Sequence, residues 1–414
     1  MKKLLVITMA ALLVGAFTVP AMAVDHEFGG FWRTRMYNMT DFTGDDSGAM
    51  DLQQADTRTR LYYTAVLSDE VKLVNKFEMD ANFGDGVRGD IGADGQNFEI
   101  KQSYADFNLG DINVKLGTQG KCWARGFLFC DDFTGAIVRY VGDDMIIPFI
   151  WIKAYEGGMG EDANDFDFDY YGVDPSFNMG DIKLNPFFMY AKSEDASAWS
   201  ATNDNEAVDV YFLGLSVDYA ADMFSAWFTG IYEGGTVDSV SQDDELTVAA
   251  SLVAAGGTFN LDALSIHAQA FYATGDDDSE DGDANDYYVP KGRSYYWAEI
   301  MGYGLIDNSV SAGSPGDQVS NIMAFNVGVD VPLDKLTLTV DIWNASLVEE
   351  VDLDGDGEID SDTDLGTEID LMASYQLLDD LKLQVVAAYL SAGDATGGGD
   401  ENPTEVGAQF SLSF

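Results

Sequence analysis

Two cysteines, two histidines and eight prolines are all that 414 residues hold of these types, and each scarcity excludes something. With so few prolines, long uninterrupted strands are permitted, because proline removes a ladder donor. With only His26 and His267, histidine-built metal clusters and histidine-based triads lack raw material, and neither a phosphate-binding loop nor a catalytic constellation accompanies them. His267, beside Gln269, has no identifiable partner for catalysis in the sequence, so no enzyme is expected. Basic residues are scarce too: 21 against 72 acidic, a net charge of −51, which rules against nucleic acid as a partner. After residue 23 no apolar run is long enough to span a bilayer as a helix.

What is present is alternation. In Thr404–Phe414 the apolar residues Val406, Ala408, Phe410, Leu412 and Phe414 interleave with Glu405, Gly407, Gln409, Ser411 and Ser413. A period of two sends these sets to opposite faces of a strand. In a soluble sandwich the apolar face would be core; in a membrane barrel it would face lipid. The terminal Phe414 resembles the assembly signal read by the outer-membrane barrel assembly machinery, which favours the barrel. The other end agrees: Lys2 and Lys3, an apolar stretch to Val19 and Ala21-Met22-Ala23 form a signal peptide over 1–23, leaving one domain over 24–414.

Between the ends, short Gly- or Asp-bearing turns (Gly110-Asp111, Gly180-Asp181, Asp379-Asp380) alternate with long acidic connections such as 40–54, 83–96 and 275–320. The chain therefore reads as an all-β transmembrane antiparallel up-and-down barrel of about eighteen strands, with sixteen as the alternative count. Short turns would lie in the periplasm and long acidic loops outside, in the outer membrane of a Gram-negative cell.

The charges have a pattern of their own. Once Lys2 and Lys3 are removed, 13 of the 19 remaining basic residues lie between Arg33 and Lys153. Arg33 and Arg35, and again Arg58 and Arg60, sit two apart in the phase opposite to Trp32 and Met36 or Leu61 and Tyr63. With Arg139 they are expected to line the pore as a basic wall, or to pair structurally with Asp56, Glu78 and Asp80. The aromatic segment 120–133 is expected to fold into the lumen as a constriction presenting Lys121, Arg125, Asp131 and Asp132, or else to pack on a neighbouring subunit. Cys122 and Cys130 would pin it as a disulfide, or remain two buried thiols. Asp352, Asp354, Asp356, Glu358 and Asp360 alternate as in a calcium loop, but Thr363 stands where a bidentate Glu would close it. Either a surface Ca²⁺ site or a hydrated acidic loop follows, and no cofactor is required.

The runs Lys101-Gln102-Ser103-Tyr104-Ala105-Asp106, Lys115-Leu116-Gly117-Thr118-Gln119-Gly120 and Asp131-Asp132-Phe133-Thr134-Gly135-Ala136-Ile137-Val138 resemble the homotrimeric outer-membrane porins of sulfate-reducing bacteria. The resemblance implies a homotrimer of barrels passing small hydrophilic solutes and ions by passive diffusion. Two rivals stand beside it. A substrate-specific porin is suggested by loop aromatics (Tyr287, Tyr288, Tyr295, Tyr296, Trp297), and a non-conducting barrel that anchors acidic, calcium-binding surface loops is the alternative from another class.

Overall fold

The computed structural model describes residues 24–43, 51–85, 91, 98–156, 167–193, 205–239, 244–277, 282–290, 295–306, 314–351, 362–399 and 401–414. The leader 1–23 and the acidic run 352–360 lie outside them.

Eighteen strands form the wall. They are β1 (Asp25–Thr40), β2 (Leu52–Val66), β3 (Val71–Asn82), β4 (Glu99–Leu109), β5 (Ile112–Trp123) and β6 (Phe129–Val141). Next come β7 (Met145–Tyr155), β8 (Phe168–Val173, resumed at Ser176–Met179 after Pro175), β9 (Ile182–Ser193), β10 (Asn205–Ala220), β11 (Phe224–Ser239) and β12 (Asp244–Asn260). The remainder are β13 (Ser265–Ala273), β14 (Ile322–Leu333), β15 (Leu336–Leu347), β16 (Asp364–Leu378), β17 (Leu381–Ala392) and β18 (Thr404–Ser413). Each pairs antiparallel with its sequence neighbours, and β1 pairs with both β2 and β18, so the sheet closes on itself. Asp283–Ala284 adds a short parallel bridge to Thr247–Val248 inside the wall.

Which face looks inward is settled by burial. In β18 the polar set is covered, Glu405 at 1% exposure and Gln409 at 7%, whereas Val406 is 56% exposed. The same inversion holds in β15, where Leu338, Val340 and Ile342 are exposed and Trp343 is buried. A water-soluble sandwich would show the reverse; this outer surface is built for lipid. Phe414 is exposed on that surface, and its backbone is zipped to Gly30 by N–H to carbonyl bonds of 2.9 and 3.2 Å in both directions.

The wall has one departure. β4 pairs with β5 only up to Ser103↔Thr118, and β6 with β7 only up to Thr134↔Lys153. Beyond that height residues 119–123 and 129–133 pair only with each other. The hairpin leaves the wall there and bends into the lumen. The bend falls at the register pair Gly117↔Gly135. Gly117 has φ +130°, and a Cβ at Gly135 would run into the carbonyl oxygen of Trp151. Only glycine lets both strands lie that close to their neighbours. The expected constriction loop is thus mostly strand: β5 and β6 extend to Trp123 and from Phe129, joined by the short turn Ala124–Gly126. Aromatic residues in a segment between turns fit a strand as well as a loop, which is why the sequence pattern did not separate the two.

Replacing Gly135 by Ala should therefore destabilise the barrel by about 2 kcal/mol or more, measured as a lower urea midpoint in lipid vesicles. An unchanged midpoint would mean that the hinge does not need the missing side chain.

Candidate functional site

The hairpin crosses the lumen and is held at its tip. Cys122 and Cys130 face each other across it as a disulfide, with Cα atoms 4.0 Å apart. Trp123 packs on the inner face of β8, against Gly172, where any side chain would collide with its ring. At the tip Arg125 pairs with Asp218 of β10 and lies 4.7 Å over the Trp227 ring of β11. The turn, which joins β5 to β6, thereby reaches strands four to six places around the barrel from its own.

A second segment folds inward to meet it. The described parts of the connection from β13 to β14 bury Tyr287, Val289, Trp297, Ile300, Met301 and Ile306. Tyr287 Oη donates to the Phe127 carbonyl at 2.9 Å, and Tyr295 stacks on the Phe127 ring with centroids 3.9 Å apart. Phe271 of β13 meets Phe127, Tyr295 and Trp297. This aromatic clasp ties the hairpin to the inward loop. The loop's other end is fixed to the opposite wall: both Glu368 oxygens accept backbone N–H bonds, from Ile300 (2.7 Å) and Met301 (2.9 Å), and Arg35 donates to the Ile306 carbonyl.

Among the described residues, two open pockets flank the hairpin and serve as its chambers. The first, about 520 Å³, is lined by Arg58, Arg60, Lys76, Lys101, Lys115 and Lys121 against three carboxylates, Glu78, Asp131 and Asp132. The second, about 500 Å³, has Lys115, Lys121, Arg125, Arg139 and Lys183 against Asp174 and Asp218. Cations outnumber carboxylates by two to one or more in both, inside a chain whose net charge is strongly negative.

The expected pore residues divide accordingly. Arg58 bonds Asp80 at 2.6 Å, Arg60 pairs with Glu78, and both line the first chamber. Arg139 donates to Asn113 at 2.7 Å and lines the second. Arg35 is largely covered: it grips Asp56 with two nitrogens, at 2.7–3.1 Å, and secures the inward loop. Arg33 shares its inward face on β1 without lining either chamber. Of the hairpin residues, Lys121 pairs with Asp174, and Asp132 accepts from Gln102 at 2.6 Å and lies 3.5 Å from Lys101. Asp131 lines the first chamber. His267 stands between Asp330 (3.1 Å) and Asp341 (2.7 Å) on the inner wall. Among the described residues no group of three or more His, Cys, Asp or Glu could hold a metal ion.

Sequence reasoning named Lys101 and Lys115 only within the runs that carry the porin resemblance and did not place them, Lys76 or Lys183 in the lumen. A signal existed for some: Lys76 and Glu78, and Lys115 opposite in phase to Leu116, obey the period that exposed Arg58 and Arg60. The buried carboxylates were also missed. Glu299, in the inward loop, accepts the Leu305 N–H at 2.6 Å; burial lifts its carboxyl to about 7, with the nearby Glu368 charge adding to the rise.

No family model matches the sequence, and no curated protein is similar to it at the sequence level. Solved structures are. OccK8 (OprE) of Pseudomonas aeruginosa superimposes with a TM-score of 0.60 at 11% identity, covering 94% of this chain and 98% of its own. OccAB3 of Acinetobacter baumannii gives 0.59 at 9%, covering 94% and 100%. The outer membrane protein OprD of Pseudomonas aeruginosa gives 0.58 at 11%, covering 95% and 96%. At these identities the likeness is one of fold.

Two expectations follow. Reduction, or Cys122→Ser with Cys130→Ser, should leave the barrel closed but loosen the hairpin by about 2–3 kcal/mol, the value of closing so short a loop; open-channel current noise in a planar bilayer should rise, and unchanged noise would show the clasp alone suffices. Glu299 has a folded-state pKa raised above its unfolded value, so the stability tied to its proton is full below about 4.5 and lost as pH rises through about 7. The advantage of Glu299→Gln over the parent in unfolding free energy should therefore grow between pH 5 and pH 8, by at most on the order of 3 kcal/mol, read as a rising difference in thermal midpoint.

Proposed function

We propose that this protein is an outer-membrane porin through which ions and small hydrophilic solutes diffuse passively, with anions favoured. The observation that carries the reading is the pair of chambers, lined by basic side chains and separated by the inward hairpin. A fixed positive surface in a narrow, low-dielectric passage attracts anions and repels cations. The resemblance of fold to an outer membrane protein, and the lipid-facing exterior, support the location.

The geometry favours a selective channel over a general one. The inward loop and the hairpin meet at the Phe127–Tyr295 clasp and subdivide the lumen, so a solute would pass beside basic pockets of about 500 Å³ rather than through an open bore. That is the substrate-specific reading, with selectivity set by the basic wall and residues 120–133. Several features belong to the same proposal. Residues 1–23 serve export, Phe414 serves recognition by the assembly machinery, and the resemblance to the porins of sulfate-reducing bacteria carries the homotrimer. Any Ca²⁺ would be held by residues outside the described ones, at 352–360.

Conductance in a planar bilayer tests this, with the reversal potential read under a potassium chloride gradient. The expected result is stepwise opening with anion selectivity. In Lys76→Gln with Lys115→Gln the anion-to-cation permeability ratio should fall roughly twofold or more. A barrel that inserts without conducting removes the porin and leaves the anchor; cation selectivity unaffected by the double variant removes the basic wall.

A further inference from the structure

The two chambers meet. Four residues of β5, Lys115, Gly120, Lys121 and Cys122, line both of them. A solute that moves from one chamber to the other along the hairpin passes these four, and two of them are cations. Lys115 lies below the bend, on the part of β5 still paired with β4, and is 3.8 Å from Asp106 of that strand. Lys121 lies beyond the bend, on the part that has left the wall. Its register partner Asp131 lines the first chamber, and its ion-pair partner, Asp174 of the opposite wall, lines the second.

The wall presents Asp174 at a break in its own sheet. β8 is interrupted at Asp174-Pro175, yet the register is kept across the gap: Val173 pairs with Phe149 and Phe177 with Met145, four residues apart on each strand. Asp174 therefore shares the inward phase of Gly172, on which Trp123 packs, and of Ser176, which lines the second chamber. Pro175 has no N–H to give to a ladder, and its carbonyl is taken by the Asn185 side chain of β9 at 3.1 Å.

The pair is neither dry nor fully wet, with 22% of the Lys121 side chain exposed and 12% of that of Asp174. At such a depth an ammonium attracts an anion more strongly than it would in open water, yet solvent still reaches it and partners can exchange. The neighbouring charges are committed elsewhere. Asp218 pairs with Arg125, and Asp132 holds Lys101 and Gln102, while Lys183 adds a further cation to the second chamber. Lys121 also lies 5.8 Å from the centre of the Trp123 ring, which confines its ammonium near the Asp174 side of the hairpin.

We propose that Asp174 is a specificity-determining residue of the channel: a carboxylate fixed to the wall that occupies Lys121 between permeation events and that a permeating anion must displace to cross from one chamber to the other. The inference rests on the porin reading above and deepens it. A tethered partner competes with every dissolved anion for the same ammonium. Conduction needs a site that binds well enough to admit an ion and weakly enough to release it. An uncompensated Lys121 at the junction would hold anions; with Asp174 returning to it, each one is released.

The test is single-channel current across a planar bilayer over a series of potassium chloride concentrations, on the full mature chain. Four proteins are compared: the parent, Asp174→Asn, Lys121→Gln and the double variant, with heat-modifiable migration confirming a folded barrel in each. The half-saturating chloride concentration should fall about threefold or more in Asp174→Asn, and the same substitution should leave it unmoved where Lys121 is already Gln. A half-saturating concentration that Asp174→Asn does not lower overturns the inference, as does one lowered equally in both backgrounds, the mark of a charge acting through space alone. Greater open-channel noise in Asp174→Asn with unchanged half-saturation also overturns it, since Asp174 would then only latch the hairpin. Each of these outcomes leaves the porin standing, whereas a parent that inserts without conducting removes the porin reading and this inference with it. Should the amide variant fail to fold, Asp174→Ser removes the same charge and is read in the same way.

Discussion

A bilayer gives backbone N–H and C=O groups no water to bond, so every residue of the wall needs a neighbouring strand on each side. The rest of the structure depends on this constraint. It requires closure, which β1 provides by pairing with β18. It reverses the usual meaning of alternation, putting Glu405 and Gln409 under cover and Val406 in the open. It also makes the departure of β5 and β6 costly, because two strands that leave the sheet forfeit their outer partners. The protein recovers part of that cost inside: residues 119–123 and 129–133 pair with each other, and the tip is bound by a disulfide, an ion pair and stacked rings.

Inside, the same economy explains why so many aromatics lie in connections. Tyr287, Tyr295 and Trp297 would be poorly placed in an external loop, where water surrounds them. Folded against Phe127, Phe271 and Trp343 they bury large apolar surfaces while the Tyr287 hydroxyl and the Trp297 N–H still find carbonyls, at 2.9 and 2.8 Å. The loop therefore brings its own packing energy to the lumen. Backbone groups that no sheet satisfies are met by carboxylates on the wall, with Glu368 alone accepting two.

Much of this was legible in the sequence, and what was not has a physical reason. Local features could be read: the period of two that fixed Arg58, Arg60 and Leu61 to their faces, the turn residues at Gly110-Asp111, and the even strand count. The aromatic run at 120–133 marked a segment that needed something to pack on. What it packs on, Trp227 and Tyr295, lies about a hundred residues or more further along the chain, and no local pattern encodes such a meeting. Arg35 has the same alternation as Arg58 and yet ends beneath the inward loop, since the Ile306 carbonyl, 271 residues away, happens to come down over it. The lysines of the chambers were weaker signals because single cations in amphipathic strands are also common on solvated faces.

The charge of the chain, −51, and the basic character of its chambers are compatible because of where the acids are placed. Three of the buried carboxylates, Glu299, Glu368 and Glu405, line neither chamber; they lie beneath or within the segment 295–306, hydrogen-bonded to its backbone or covered by it. Had the wall of β16 and β18 opened onto the same water as Lys76 and Lys115, those acids would have faced the basic residues across the lumen and drawn cations to the passage. By folding over them, the loop covers those acids. The lumen is thus polarised by burial as much as by sequence: the inward loop covers acids on one wall, while basic side chains on the other line the pockets beside the hairpin.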